Sequence, residues 1–261
     1  MSTRRWLGRF SLVRVAWAAW QTLADQFGLG LRWLAGLGRL AGFWSEYRDF
    51  RRLNRGSAFV LQGRDIVPCL LDRTTATPVE PIYFLQDAWF ARRIAEQRPA
   101  SHVDVGSSAK SMALVAQFVP VTLVDIRPVD IKLEHFSFRA GSILALPYAD
   151  VSVASLSSIC VIEHIGLGRY GDPFDARGSE KAAAELGRVL ATGGNLYITV
   201  PVDAECRVYF NAHRAFTRDY LLSLFPRLEL VAERYIYGRA YAEAYDPACG
   251  FGTGLYHFRR K

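Results

Sequence analysis

The fold is decided by two stretches, residues 102–110, HVDVGSSAK, and residues 121–126, VTLVDI. Each contains a β-branched apolar run typical of a buried strand, and apolar side chains recur between them at helical spacing. Gly106 follows the first run, and Asp125 lies near the end of the second. A strand, a glycine turn, a helix and an acid-ended strand form the βαβ unit of many nucleotide sites. The glycine lets the backbone approach a ligand, and the acid can accept hydrogen bonds from both ribose hydroxyl groups.

The turn lacks the GxGxxG pattern of dinucleotide-binding proteins, because Ser108 and Lys110 stand where further glycines are needed. The chain also contains no Tyr-x-x-x-Lys pair. Both observations disfavour a dinucleotide-dependent oxidoreductase or epimerase. A purely structural turn remains the alternative when this stretch is considered alone.

The region that follows resembles a known superfamily. Residues 146–150, LPYAD, precede an apolar run at 153–158, and residues 161–165 read VIEHI. This arrangement is similar to the central part of class I S-adenosylmethionine-dependent methyltransferases. In that superfamily a GD-x-x-LPF-D segment precedes the fourth strand, and a VLEH segment opens the following helix.

A longer run gives a more specific resemblance. Residues 162–173, IEHIGLGRYGDP, resemble an uncharacterised family of predicted methyltransferases that is often associated with glycan or cell-surface gene sets. Three other stretches agree with that family: 83–89, YFLQDAW; 193–201, GGNLYITVP; and 211–216, NAHRAF. The resemblance covers roughly residues 80–261 and does not include the N-terminal region.

The resemblance implies S-adenosylmethionine as the cofactor, lying across the carboxyl ends of the strands. Asp125 is the expected ribose acceptor, since a lone carboxylate that ends an apolar strand needs a polar partner. Asp104 is expected near the amino-acid part of the cofactor, with the alternative that it caps the turn. Ser142 departs from the superfamily pattern, in which an aspartate often holds the adenine amino group. The full set of expected cofactor-binding residues is Asp104, Gly106, Ser107, Ser108, Asp125, Ile126, Ser142, Ile143, Leu144, Ser158 and Ile159.

Methyl transfer to a hydroxyl group needs a base. Glu163 and His164 follow the fourth predicted strand, where such a base belongs, and histidine has a suitable ordinary pKa. His213 and Arg214 follow the fifth predicted strand, in a polar loop expected to face the methyl acceptor. Residues 169–175 lie in a glycine-rich loop that looks like a substrate lid, or is simply a solvated loop. Glu163 and His164 could instead cap a helix or help to hold a divalent metal, but no third ligand is apparent, so no metal site is predicted.

Composition indicates a folded chain with one large domain and an appendage. The 261 residues are 51% hydrophobic, which disfavours disorder. The four cysteines are widely spaced and form no CxxC pair, so neither a disulfide framework nor a zinc site is expected. A cytoplasmic location is therefore predicted.

The N-terminal residues 1–55 have a composition of their own. They contain ten arginines against three acids, which accounts for the whole net charge of +7, and five of the six tryptophans. Phe10, Val13, Trp17 and Trp20 share one helical face, but no apolar run is long enough to span a membrane, and the segment is a poor signal peptide. Contact with an anionic membrane surface at its inner face and packing within the protein or a homo-oligomer are the favoured interpretations. Nucleic-acid binding is disfavoured.

The order of the predicted elements gives the fold class. They are a helix at 85–96, a strand at 102–105, a helix at 109–118, strands at 121–126, 135–138 and 153–157, a helix at 179–190, a strand at 195–200, a helix at 218–225 and strands at 228–237 and 251–259. Gly193 and Gly194 are predicted to end the third helix. The alternation predicts an α/β fold: a Rossmann-like, doubly wound, mainly parallel sheet with an antiparallel C-terminal edge, preceded by an N-terminal helical appendage.

Three segments and one activity follow from these patterns. Residues 1–55 form the appendage, 56–80 a connector and 81–261 a methyltransferase-like domain. The expected activity is S-adenosylmethionine-dependent methyl transfer, and the resemblance implies O-methylation of a sugar or glycan precursor. The alternative is a catalytically inactive scaffold or interaction protein at a membrane surface.

Deleting residues 1–55 should release the protein from vesicles that contain anionic lipid, because the deletion removes the whole net positive charge. Co-sedimentation with phosphatidylglycerol vesicles measures this, and vesicles of phosphatidylcholine alone are the control. Equal binding of the full and shortened chains would contradict the membrane interpretation.

Overall fold

The structure, a computed structural model, describes residues 39–40, 42–70 and 72–261. The predicted helical face at 10–20 lies outside the described residues. The chain divides into two compact units, and the second spans Val79–Lys261. In the described part of the first unit, residues 42–53 are helical. Among the described residues, no helix combines the length and the apolar character needed to cross a bilayer. The three segments expected from sequence stay a prediction.

The second unit is built around an eight-stranded sheet with the strand order β3-β2-β1-β4-β5-β10-β8-β9. These strands are β1 (His102–Val105), β2 (Val121–Asp125), β3 (Phe136–Ala140), β4 (Val153–Ile159), β5 (Leu190–Val202), β8 (Leu228–Tyr237), β9 (Ala240–Ala242) and β10 (Gly252–Arg260). A separate hairpin consists of β6 (Arg207–Tyr209) and β7 (His213–Ala215). Strands β1 to β5 are parallel, whereas β10 runs antiparallel to both β5 and β8. The predicted fold class, with its antiparallel C-terminal edge, is confirmed.

Helices cover both faces of the sheet. They are α1 (Pro81–Gln97), α2 (Ala109–Val115), α3 (Gly178–Val189) and α4 (Arg218–Ser223) within this unit. One hydrophobic core includes residues of α3 and α4, and the other includes residues of α1 and α2. Strands buried on both faces need apolar side chains on both, except where buried polar groups bond to one another, as His102 and Asp104 of β1 do with serines of β4.

The strand order reverses between β1 and β4. The chain passes from β1 outward through β2 and β3, and then returns to place β4 on the other side of β1. In a doubly wound sheet this reversal opens a crevice at the carboxyl ends of the two central strands, where ligands bind.

Two parts of the sheet differ from the prediction. Gly193 and Gly194 do not end α3, because β5 already begins at Leu190 and the two glycines lie in an irregular part of its pairing with β4. Gly193 has φ +74°, and a Cβ on Gly194 would lie 2.8 Å from the Ala191 carbonyl oxygen. The short strands β6, β7 and β9 were not predicted, since three residues are too few to show a period.

Replacing Phe90 with alanine should destabilise the second unit by about 3–5 kcal/mol, because its ring is fully buried and truncation leaves a cavity. Phe84 lies on the same helix with 65% of its surface exposed, and its replacement should change stability by less than about 0.5 kcal/mol. Equilibrium denaturation in urea measures both. Similar effects at the two positions would contradict the assigned orientation of α1.

Candidate functional site

A cavity of about 300 Å³ lies where the carboxyl ends of β1, β2 and β4 meet. Four segments form its wall: the turn after β1, residues 124–127, residues 141–144 and residues 160–173. The cavity therefore occupies the crevice at which the strand order reverses.

Gly106 forms part of the cavity wall and cannot be replaced without strain. Its φ is +75°, and a Cβ there would come within 2.9 Å of Val161 Cγ1. Its amide donates to the Val124 carbonyl oxygen at 2.8 Å. The glycine thus lets the turn approach the segment after β4 closely, as its position in the sequence suggested.

Asp104 forms hydrogen bonds to the turn after β1. Its fully buried carboxylate accepts hydrogen bonds from the Ser107 amide (3.0 Å), from the Ser107 hydroxyl (2.6 Å) and from the Ser157 hydroxyl. Burial raises the pKa of Asp104 to about 6. The carboxylate does not line the cavity, and these bonds fit the capping role that the sequence left open as the alternative. Its contact with a cofactor stays a prediction.

Four more of the expected cofactor residues also lie outside the cavity wall: Ser107, Ser108, Ser158 and Ile159. The Ser107 hydroxyl accepts from the Ile159 amide at 2.8 Å, and the Ser158 hydroxyl donates to the Val105 carbonyl oxygen at 3.1 Å. Ser108 is exposed at the start of α2. Ser107, Ser158 and Ile159 therefore join β1 to β4, because buried polar groups must be satisfied within the protein.

His102 extends this buried network. Its Nε2 lies 2.8 Å from the Ser157 hydroxyl, and its Nδ1 lies 2.8 Å from the Ser155 hydroxyl. Because Ser157 donates its proton to Asp104, Nε2 must be the protonated nitrogen that donates to Ser157. Burial lowers the pKa of His102 to about 3, so the ring is neutral and structural.

Asp125 ends β2 and places its carboxylate in the cavity wall. The side chain is only 11% exposed, and Oδ1 accepts hydrogen bonds from the Arg127 amide (2.8 Å) and Nε (3.3 Å). The Arg127 guanidinium also lies 4.8 Å from the centre of the Tyr170 ring. Sequence reasoning missed Arg127, although its position two residues after the acid offered a signal.

The far wall of the cavity is mainly apolar. Ile126, Ser142, Ile143 and Leu144 all line it, as expected. The Ser142 hydroxyl accepts from the Leu144 amide at 3.2 Å and so fixes the turn. Of the two carboxylates in the lining, Asp172 is bonded to backbone amides of its own loop. Apolar walls with the Asp125 carboxylate between them suit a ligand that has a flat apolar part and adjacent hydroxyl groups.

His164 lines the cavity in a defined tautomer. Its Nδ1 lies 2.7 Å from the Ala212 carbonyl oxygen, which can only accept, so Nδ1 carries the proton and Nε2 has a free lone pair. Burial lowers the pKa of His164 to about 4. The imidazole is therefore neutral at pH 7.

Glu163 lies behind His164 in a fully enclosed position. Burial raises the pKa of its carboxyl group to about 8, and Oε2 has no hydrogen-bond partner among the described residues. The Glu163 Oε1 to His164 Nε2 distance is 3.7 Å. Near pH 7 neither group is charged, so this approach is not an ion pair.

Cys160 also lines the cavity and was not predicted. Its thiol lies 3.2 Å from both the Gln86 Oε1 and the Thr199 hydroxyl, and burial raises its pKa. The group is a neutral thiol that packs beside the end of β4. A single cysteine outside any motif offers no signal of this position in the sequence.

His213 and Arg214 are neighbours in the sequence but have different surroundings. The His213 ring is 6.5 Å from the His164 ring, next to the cavity. Arg214 is buried and does not line the cavity, and its expected position facing an acceptor stays a prediction. Its guanidinium donates to the carbonyl oxygens of Ile165 (2.6 Å) and Asp175 (2.9 Å), because a buried cation needs acceptors for its donors.

These two bonds hold the ends of the loop at residues 166–175. Inside the loop, the Asp172 carboxylate accepts from the amides of Gly166 (2.6 Å) and Tyr170 (3.3 Å). Gly166 has φ +82°, and a Cβ there would lie 2.2 Å from the Asp175 carbonyl oxygen. The loop is thus internally bonded and presents Tyr170 to the cavity.

Within the described part of the chain, no group of three or more His, Cys, Asp or Glu side chains is arranged to hold a metal ion.

The sequence of the chain is similar to one protein family. The model of a family described as "Caenorhabditis protein of unknown function, DUF268" matches residues 122–243. This region contains the whole 162–173 run that suggested an uncharacterised family. No curated protein sequence matches the chain.

Solved structures share the fold at low sequence identity. A putative sarcosine dimethylglycine methyltransferase from Galdieria sulphuraria is 15% identical, with a TM-score of 0.52 over 70% of this chain and 90% of that chain. N-methyltransferase NodS from Bradyrhizobium japonicum WM9, in complex with S-adenosyl-L-homocysteine, is 18% identical, with a TM-score of 0.51 over 69% and 88%. A geranyl diphosphate methyltransferase in complex with SAM is 13% identical, with a TM-score of 0.50 over 69% and 87%. The second unit therefore has the Rossmann-like fold of S-adenosylmethionine-dependent methyltransferases.

Proposed function

We propose that this protein is an S-adenosylmethionine-dependent methyltransferase that methylates a hydroxyl group of a sugar or glycan precursor. The observation that carries the proposal is the Asp125 carboxylate, which ends β2 within the cavity at the point of strand reversal. Similar structures that hold S-adenosylhomocysteine or S-adenosylmethionine support the choice of cofactor. The sugar acceptor rests on the resemblance of residues 162–173.

The residues of the cavity fit this cofactor. Asp125 would accept the ribose hydroxyl groups, and Ile126, Ile143 and Leu144 would enclose the adenine ring. The Gly106 turn would lie beside the amino-acid part, since Gly106 forms part of the cavity wall. The cavity volume of about 300 Å³ is at the lower end of the range for small-molecule sites.

When bound, S-adenosylmethionine supplies an activated methyl group whose transfer leaves a neutral thioether. His164 has the free Nε2 lone pair that can take the proton of an attacking hydroxyl group. Glu163 acts through His164 and is a positioning residue. In its ionised form it would stabilise the imidazolium, whereas in its protonated form it supplies no charge to balance the imidazolium.

The inactive-scaffold alternative is less well supported, because Gly106, Asp125 and His164 together still line one cavity. Contact of residues 1–55 with an anionic membrane is compatible with either function. We propose this contact because residues 1–55 carry the whole net charge of +7.

Replacing Asp125 with alanine should weaken binding of S-adenosylmethionine by about 100-fold, equivalent to about 3 kcal/mol for two charge-assisted hydrogen bonds. Isothermal titration calorimetry measures the affinity, and circular dichroism checks the fold. Asp130→Ala makes the same charge change at an exposed site nearby and should bind normally. A folded Asp125→Ala protein with unchanged affinity would remove the ribose contact.

The rate of methyl transfer at saturating substrates should rise with pH and level off above about pH 8, because Glu163 must lose its proton before it can stabilise the His164 imidazolium. Glu163→Gln should abolish this rise and lower the maximum rate. Transfer of tritiated methyl groups to a neutral glycoside across pH 6–9 measures both effects. A profile identical in the two proteins would exclude Glu163 from the reaction.

Stability offers a check that needs no acceptor. Between its ordinary pKa of 4.5 and the folded value of about 8, Glu163 keeps a proton that the unfolded chain has lost. The free energy of unfolding of the natural chain, relative to Glu163→Gln, should therefore fall by about 1.4 kcal/mol per pH unit in this range. A flat difference would show that Glu163 is already ionised in the folded protein.

A further inference from the structure

We propose that a row of rings beside the cavity binds the methyl acceptor and selects an uncharged, ring-shaped molecule that carries a hydroxyl group. This inference rests on the proposed function and specifies its substrate. The ring row consists of Tyr170, His164, His213, Tyr209 and Phe251. These residues come from the 166–175 loop, the segment after β4, the β6–β7 hairpin and the start of β10.

The ring row is continuous and begins inside the cavity. The Tyr170 and His164 centres are 5.6 Å apart, and those of His164 and His213 are 6.5 Å apart. His213 then lies 5.1 Å from Tyr209 and 5.4 Å from Phe251. Because Tyr170 and His164 also line the cavity, a molecule on the row would have one end at the expected position of the transferred methyl group.

Two exposed phenylalanines extend this surface. Phe174 and Phe210 are 77% and 75% exposed, yet their rings stack with centres 6.2 Å apart. Phe174 is held over Gly168, where a Cβ would lie 2.9 Å from Cε1. Phe174 follows Pro173 of the cavity wall, and Phe210 follows Tyr209 of the ring row. Two large apolar rings kept in water beside a cavity indicate a surface that a ligand covers.

The charged groups beside the ring row form hydrogen bonds within the protein. Arg169 donates to the Ala212 carbonyl oxygen at 2.9 Å and lies over the Tyr170 ring at 5.3 Å. Asp172 accepts backbone amides within its loop, and Asp203 accepts from the Tyr209 hydroxyl at 2.7 Å. Arg127, which also lies over Tyr170, pairs with Asp125. Among the described residues, the row therefore offers mainly flat faces, and Arg169 is a cation beside it that forms no ion pair with a carboxylate.

This arrangement matches a specific kind of molecule. Aromatic rings bind the flat faces of other rings, either the C–H face of a sugar or the face of a phenol. A hydroxyl group at the inner end would meet His164 Nε2, the nitrogen that is free because Nδ1 donates to Ala212. A phosphorylated acceptor would meet the Arg169 guanidinium, which already donates to the Ala212 carbonyl oxygen, and desolvation of the phosphate on the rings would oppose binding.

Saturation-transfer difference NMR tests the proposal on the full chain with saturating S-adenosylhomocysteine. The probes are methyl α-mannopyranoside, catechol and mannose 6-phosphate. The variants Phe174→Ala and Phe210→Ala remove the exposed pair. Phe118→Ala is the matched control, because Phe118 is 52% exposed and lies near the amino end of β2, away from the cavity.

At least one neutral probe should give a signal in the natural chain, stronger than that of the phosphate. Both pair variants should reduce this signal by about fivefold, while Phe118→Ala leaves it unchanged. The response to the mannoside or to catechol tells a sugar acceptor from a phenol, and either supports the proposal.

Three results would overturn it while S-adenosylhomocysteine still binds: no signal from either neutral probe, a stronger signal from the phosphate, or an undiminished signal in both pair variants. Failure of the natural chain to bind S-adenosylhomocysteine would overturn the proposed function itself, and this inference with it.

Discussion

The buried carboxylate of Asp104 joins the two strands between which the sheet changes direction. It receives hydrogen bonds from Ser107 in the turn after β1 and from Ser157 in β4, and Ser107 in turn receives the Ile159 amide. A carboxylate in this position is expensive to bury unless every bond is made. The bonds fix the position of the Gly106 turn relative to β4. The cavity can therefore exist only while this network is intact.

The buried Arg214 guanidinium similarly fixes the part of the cavity wall that residues 166–175 form. The Arg214 guanidinium binds carbonyl oxygens at both ends of the 166–175 loop, which presents Tyr170 to the cavity. The Ala212 carbonyl oxygen, two residues before Arg214, receives the proton of His164 Nδ1. One short hairpin thus fixes both the loop and the tautomer of the expected base. Groups held by several bonds are already ordered before a ligand arrives, which favours precise placement of reactants.

The sequence was most informative about residues whose positions follow from the local order of strand, turn and helix. Asp125 at the end of a strand, Gly106 at a turn and the 142–144 segment were all identified, because a strand, turn and helix pattern places their positions at one edge of a parallel sheet. Arg214 and Asp104 show what such reasoning leaves open. Both are polar residues near the correct ends of strands, and sequence alone could not tell a side chain that faces the cavity from one that bonds inward. Arg127 and Cys160 were missed because neither forms a recognisable motif.

The sequence by itself determined the α/β class, the order of the main strands and the resemblance to methyltransferases, because apolar periodicity and short motifs are local properties. Only the tertiary structure decided which polar groups are satisfied inside the protein and which remain for a ligand. It also brought together rings from positions 164, 170, 209, 213 and 251, which no spacing in the sequence connects. The physical reason is that burial and hydrogen-bond partners depend on contacts between distant segments, and these exist only after the sheet has formed.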